Sequence, residues 1–221
     1  MNSRKYTAVG AESEFEPGSR GRVLRNRLGI TRALDMREAE SQALMLAQVA
    51  ALDQYGPTHR FSATDIRALH RLWLGPIYAW AGEYRNVNVG KGGFHFASAA
   101  LIPRLMSGLE RDALRRQTPC RNASDPAVAQ ALAEVHAELI LIHPFRGGNG
   151  RLARLLAMLM GLQAGLPPLD FGPMAGRGKP AYIAAIHAAL DRNYQPLAAL
   201  FGRAIARSRR RAASNTQRTR P

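Results

Sequence analysis

Cysteine is all but missing from this chain: Cys120 stands alone among 221 residues. A lone thiol excludes an internal disulfide framework and every zinc site built from several cysteines, and a passive thiol is its plain reading. Long apolar runs are missing too. No stretch approaches the roughly 18 apolar residues that mark a membrane-spanning helix, and the segment Met1 to Gly10 lacks the apolar core of a secretory signal. The expected protein is therefore soluble and cytoplasmic with no membrane partner, and export as an effector stays open. Acids are scarce as well, 16 Asp and Glu against 31 Lys and Arg, for a net charge of +15. That excess favours anionic partners. It is uneven, because Arg203 to Pro221 holds seven arginines and no acid. Such a segment suits a disordered solubilising tail, and equally nucleic-acid contact, partner docking or an export signal.

An apolar content of 46% in a chain of this length is enough for one sizeable core. Composition divides the chain into a polar, partly disordered N-terminal arm over residues 1–22, a folded domain over 23–206 and a basic disordered tail over 207–221. Helical spacing predicts an amphipathic helix from about Met36 to Leu52. Ser62-Ala-Thr-Asp65 has the form of a capping box ahead of a second helix. Further helices are expected over 104–116, from an Asp125 cap with Pro126 at the first position, from the apolar run after Leu152, and over about 180–191 and 195–207. The one strand signal is the alternation Tyr84 to Val89, followed by Gly90-Lys91-Gly92-Gly93 and Phe94-His95-Phe96, which reads as a β-hairpin. The fold class is thus all-α with one small hairpin.

The most informative segment runs His143-Pro-Phe-Arg-Gly-Gly-Asn-Gly-Arg-Leu-Ala-Arg154, between two apolar helices. His143 is the one residue there that can act as a base near neutral pH. Gly148 and Gly150 let backbone N–H groups approach phosphate oxygens, Asn149 adds an amide donor, and Arg151 and Arg154 are spaced to share one helix face. A base, fixed donors and two guanidinium groups are what phosphoryl or nucleotidyl transfer requires.

These residues resemble the Fic (Fido) family pattern His-x-Phe-x-[Asp/Glu]-Gly-Asn-Gly-Arg-x-x-Arg, matched by His143, Phe145, Gly148, Asn149, Gly150, Arg151 and Arg154. Val23 to Ile30 and Trp80 to Val89 are similar to the family's opening segment and to the approach to its flap, and the likeness extends over roughly residues 20–205. The resemblance implies that His143 deprotonates a target hydroxyl, which takes AMP from ATP while pyrophosphate leaves. It implies that Gly148, Asn149, Gly150, Arg151 and Arg154 bind the nucleotide. It also implies that the flap at Val87, Asn88, Val89, Gly92, Gly93 and Phe94 holds a target protein by strand addition, presenting Ser, Thr or Tyr. Relatives that act as kinases carry Lys at the Gly150 position, so adenylyl transfer is favoured.

Gly147 departs from the pattern, since the family places there the acid that holds Mg2+. The ion would then be held by phosphates and water alone, or its charge supplied by Arg146 or by Lys91 in the flap turn. Two alternatives follow: transfer of another phosphate-linked group, or a catalytically weak nucleotide-binding protein. None of the nine glutamates is followed by Gly or Asn, so the family's autoinhibitory pattern is absent. Inhibition would come in trans from an antitoxin-like chain, as in a toxin–antitoxin pair. Arg177 to Tyr182 is a second basic loop, and its location in relatives assigns Tyr182 to base stacking. His95 and His136 suit either a surface or core role or a supporting one.

Overall fold

Local signals set the helices, and α2 (Ala63–Leu74) begins where its capping box predicts: Ser62 Oγ accepts from the Asp65 amide at 3.1 Å, and the Asp65 carboxylate accepts from the Ser62 amide at 2.9 Å. The computed structural model describes residues 7–8, 14–121 and 124–218. The expected N-terminal arm therefore falls in part outside the described residues, at 1–6 and 9–13, as do the last three positions of the tail. Contacts gather the chain into two compact units. One comprises residues 1–54, 62–108 and 142–152, the other residues 55–61, 109–141 and 153–221.

In the first unit, α1 (Ala33–Gln54) turns Met36, Ala47 and Ala51 inward, so its buried face is built largely from small residues. It is less cleanly amphipathic than its sequence suggests, for Met45, Leu46 and Val49 are exposed. Helix α2 supplies the bulk instead, burying Ile66, Leu69, Trp73 and Leu74. The hairpin is shorter than expected, with β2 at Val89–Lys91 and β3 at Phe94–His95. Gly92 and Gly93 close it with φ of +56° and +81°, the two positive angles that a tight two-residue turn of this hand requires. Tyr84 to Asn88 is not strand. Its alternation still buries Arg85, Val87 and Val89 on one side. A third strand, β1 (Thr7–Ala8), lies antiparallel along β2 with Thr7 opposite Gly90 and Ala8 opposite Val89. The sheet order is β1-β2-β3.

Helix α3 (Ile102–Leu109) runs through a π-helical turn at Glu110–Leu114 into the short α4 (Arg115–Gln117). In the second unit, α5 (Asp125–Ile142) starts at Asp125 itself, so the preceding Ser124, whose Oγ accepts from the Ala127 amide at 3.4 Å, takes the capping role expected of Asp125. Val128, Leu132, Val135 and Leu139 of α5 and Leu155, Leu156, Leu159 and Met160 of α6 (Asn149–Gln163) are all buried. A helix apolar on nearly every side is a core helix. Gln163 pins two loops of this unit, accepting from the Cys120 amide at 3.0 Å and donating to His59 O at 2.8 Å.

Helices α7 (Lys179–Ala188) and α8 (Gln195–Arg218) complete it. Here the structure corrects the expectation of a disordered tail from residue 207. Helix α8 continues through Arg218, with Arg207 and Arg211 on Asp170 at 2.7 and 2.9 Å and Arg209 bidentate on Asp125. Composition pointed to disorder because the acids that partner these arginines lie 37 to 84 residues away.

Replacing Ser62 with Ala should cost about 1 kcal/mol and lower the melting temperature by roughly 2–4 °C for a chain of this size. Thermal denaturation followed by circular dichroism measures it, and an unchanged melting temperature would mean the cap is not used.

Candidate active site

Helix α5 stops at Ile142, and the next residue, His143, takes a left-handed conformation at φ +51° before Pro144. A positive φ one step past a helix end is a common way to turn the chain, but glycine is its usual occupant. A histidine there carries a conformational cost of the order of 1 kcal/mol, so surrounding contacts must hold it. They are visible. The Asn149 side chain brackets the Phe145 backbone, accepting from its N–H at 3.0 Å and donating to its C=O at 2.8 Å. Phe145 is fully buried and stacks on His70 with ring centroids 3.9 Å apart. His70 accepts from the Gly82 amide through Nδ1 at 2.8 Å, which leaves Nε2 to donate to Gly147 O at 3.1 Å. Burial lowers its pKa from 6.5 to about 4, against the opposite pull of the bond to Gly147, so it is neutral near pH 7.

The loop thus returns to α6 over a tight floor. A Cβ at Gly148, where φ is +78°, would stand 2.8 Å from Trp73 Cζ3, so both packing and backbone demand glycine. Gly150 faces open space and Gly147 meets only the Trp80 ring, at 3.4 Å. The imidazole of His143 is 4% exposed and is stacked by Phe96 at 3.7 Å, just past the end of β3.

The remaining expected residues fall into place unevenly. Asn149, expected as a phosphate donor, is fully buried, and its side-chain oxygen and one N–H of its amide serve the loop backbone. The side chains of Val87 and Val89 are buried, and Asn88 Oδ1 accepts from the Ala99 amide at 2.9 Å. Lys91, Gly92 and Gly93 are exposed at the hairpin tip, with Phe94 half-buried. Arg151 donates to the Glu40 carboxylate at 2.5 Å and lies 4.6 Å above the Trp73 ring. Glu40 also accepts from Tyr78 Oη at 2.8 Å, and burial together with this carboxylate pushes the phenol pKa up.

In the second unit, Arg154 is half-buried, and Tyr182 Oη is 2.9 Å from His136 Nε2. Burial and the Arg154 charge lower His136 from 6.5 to about 3. Among the described residues no group of three or more His, Cys, Asp or Glu side chains could hold a metal ion.

Sequence reasoning missed Arg85, Glu40 and His70. Arg85 is 2% exposed and donates to His143 O at 2.8 Å, Val87 O at 2.7 Å and Ala97 O at 2.5 Å. Its signal was present, because the alternation that buries Val87 and Val89 puts Arg85 on their side. Glu40 had no such signal, lying 111 residues from Arg151.

The sequence model of the Fic/DOC family matches residues 60–160. The chain is 32% identical over 143 residues to the "Probable protein adenylyltransferase Fic" of Salmonella typhimurium, covering 65% of this chain and 70% of that one. It is 32% identical over 161 residues to the "Probable protein adenylyltransferase y4lH" of Sinorhizobium fredii, covering 73% and 80%. Among solved structures it is similar to the N-terminal Fic domain of a VirB-translocated Bep effector protein with bound ADP from Bartonella quintana. There the TM-score is 0.68 at 25% identity, covering 86% of this chain and 92% of the other.

The buried histidines give the stability a defined pH dependence. A histidine whose folded pKa is below its unfolded value leaves the unfolded chain binding more protons, so the stability it contributes is full above pH 6.5 and is lost as pH falls toward 4. Urea unfolding should show a loss of about 2 kcal/mol from His70 between pH 7 and pH 5. The substitution His70→Gln should remove that share of the slope and leave the share of His136. An identical slope in the variant would contradict the assignment.

Proposed function

Because this chain belongs to the Fic/DOC family, we propose that it is a protein adenylyltransferase, moving AMP from ATP to a Ser, Thr or Tyr hydroxyl of a target protein. The observation that carries this reading is the loop geometry: an imidazole held left-handed at a helix end, under the flap aromatic Phe96, on a floor that admits only glycine at 148. In the reaction, His143 takes the proton of the target hydroxyl and the oxygen attacks the α-phosphorus. The bond from that phosphorus to the β-phosphate oxygen breaks, and pyrophosphate leaves. The backbone N–H groups around Gly148 and Gly150 and the guanidinium of Arg151 receive phosphate oxygens. The family pattern assigns a nucleotide contact to Arg154, and the place of its loop in relatives assigns base stacking to Tyr182. An extended target segment lies along the hairpin by backbone pairing, and along β2 it takes the place of Thr7–Ala8.

The family's Mg2+ does not fit the residues present. Mg2+ takes oxygen ligands in near-octahedral geometry, whereas position 147 supplies no carboxylate and its carbonyl is taken by His70. No metal-ligating cluster exists among the described residues. The groups at hand are cationic: Arg146, 5% exposed within the loop, Arg151, and Lys91 at the flap tip. They neutralise the triphosphate in this reading, and dependence on added Mg2+ is weak. Inhibition comes from an antitoxin-like chain in trans, and the reaction runs in the cytoplasm of the producing cell or, after export as an effector, of another cell. Nucleic-acid contact through the tail has little support, since Arg207, Arg209 and Arg211 pair with acids of the same chain.

Incubation with a cell lysate and ATP labelled at the α or the γ position tests the reading. Label should enter protein from the α position alone and persist in EDTA. The variant His143→Ala should reduce it by at least about 100-fold while binding ATP as before. Gly147→Asp should make transfer respond to Mg2+. Transfer from the γ position, or activity fully abolished by EDTA in the unaltered protein, would contradict the corresponding part.

A further inference from the structure

Arg85 sits where a cation is costly to bury, and its surroundings explain what holds it there. Four main-chain carbonyls accept from its guanidinium: His143 at 2.8 Å through Nε, Val87 at 2.7 Å through Nη1, and Ala97 at 2.5 Å and Ile142 at 3.4 Å through Nη2. Its own amide donates to Pro144 O at 2.9 Å. Two of these carbonyls, those of Ile142 and His143, belong to the C-terminal end of α5, where helix carbonyls lack intrahelical donors and the dipole favours a cation. The other two flank the hairpin, Val87 ahead of β2 and Ala97 behind β3. One rigid fork of donors therefore joins the backbone on both sides of the base to both stems of the flap. Lysine could not replace it, because an ammonium on a flexible stem cannot reach acceptors spread around a planar fork.

We propose that Arg85 is a positioning residue that locks the flap and the His143 loop into one unit, so that the guanidinium that holds the flap in place also orients the base. This rests on the adenylyltransferase reading above for its catalytic consequence, but not for its structural one. Arg85 touches no reacting atom. Its bond to His143 O holds the left-handed turn at φ +51° against the preference of a histidine for ordinary helical or extended backbone. Its bonds to Val87 O and Ala97 O fix the height of the hairpin above that turn, and with it the Phe96 ring that stacks on the imidazole. Misplacement of the base by about 1 Å is enough to lose a factor of the order of 100 in rate.

The test compares the full chain with Arg85→Lys and Arg85→Ala in two arms. In the first arm, hydrogen exchange is followed by mass spectrometry on the native protein. Both variants should speed exchange together in the segments 86–97 and 143–148, with α7 and α8 unchanged. Faster exchange in only one of the two segments, or in neither, overturns the coupling, and so does uniformly faster exchange across the chain. In the second arm, transfer of α-labelled AMP into lysate proteins should fall roughly 100-fold in both variants, with ATP affinity within about twofold of the parent. Millimolar guanidinium should restore part of the rate to Arg85→Ala and none to Arg85→Lys, whose stem still fills the space. Full transfer in Arg85→Lys overturns the positioning role. No transfer in the unaltered protein overturns the adenylyltransferase reading and with it the catalytic consequence, while the exchange arm still decides the coupling.

Discussion

The left-handed turn at His143 is the constraint around which the first unit is arranged. A helix apolar enough to run through a core must end somewhere, and here it ends on a residue that prefers not to adopt the required backbone. The Asn149 bracket on Phe145, the Phe145–His70 stack, the His70 bridge from Gly82 to Gly147 and the Arg85 fork all act on the five residues that follow Ile142. Each is buried, where a hydrogen bond is stronger than in water and an unmade one is expensive. The turn is therefore over-determined, as strained functional backbone must be.

That arrangement divides the labour within the loop. Asn149, expected to bind ligand, uses its side chain to shape the loop, bracketing the Phe145 backbone two residues past His143. Arg151 is a mixed case. Its guanidinium is oriented by Glu40 and by the face of Trp73, so a phosphate would meet a group already fixed in direction but partly neutralised. Gly147 leaves the loop without a carboxylate at the position where the family pattern carries an acid. The charged side chains of the loop are therefore Arg146, Arg151 and Arg154, with Arg151 paired to Glu40.

Much of this was legible in the sequence wherever the cause is local. The capping box at Ser62, the Gly92-Gly93 turn and the apolar wheel of α5 and α6 are each written in a few neighbouring residues, and the structure forms them there. The spacing of His143, Gly148 and Arg151 marked the candidate loop. What escaped was non-local. Nothing near Glu40 announces Arg151, and the composition of 207–218 cannot reveal that Asp125 and Asp170 will take its arginines and extend α8. Arg85 lay between the two cases: alternation placed it on the buried side, but only the fold supplies the carbonyls that make burial tolerable.

The mass of the group transferred decides whether this loop places AMP on a protein hydroxyl. Lysate proteins incubated with the purified chain and ATP, then digested and analysed by mass spectrometry, should carry adenosine monophosphate on Ser, Thr or Tyr, and the adduct should be absent when His143 is replaced. Phosphate alone on those hydroxyls, or an adduct that persists without His143, would contradict the account.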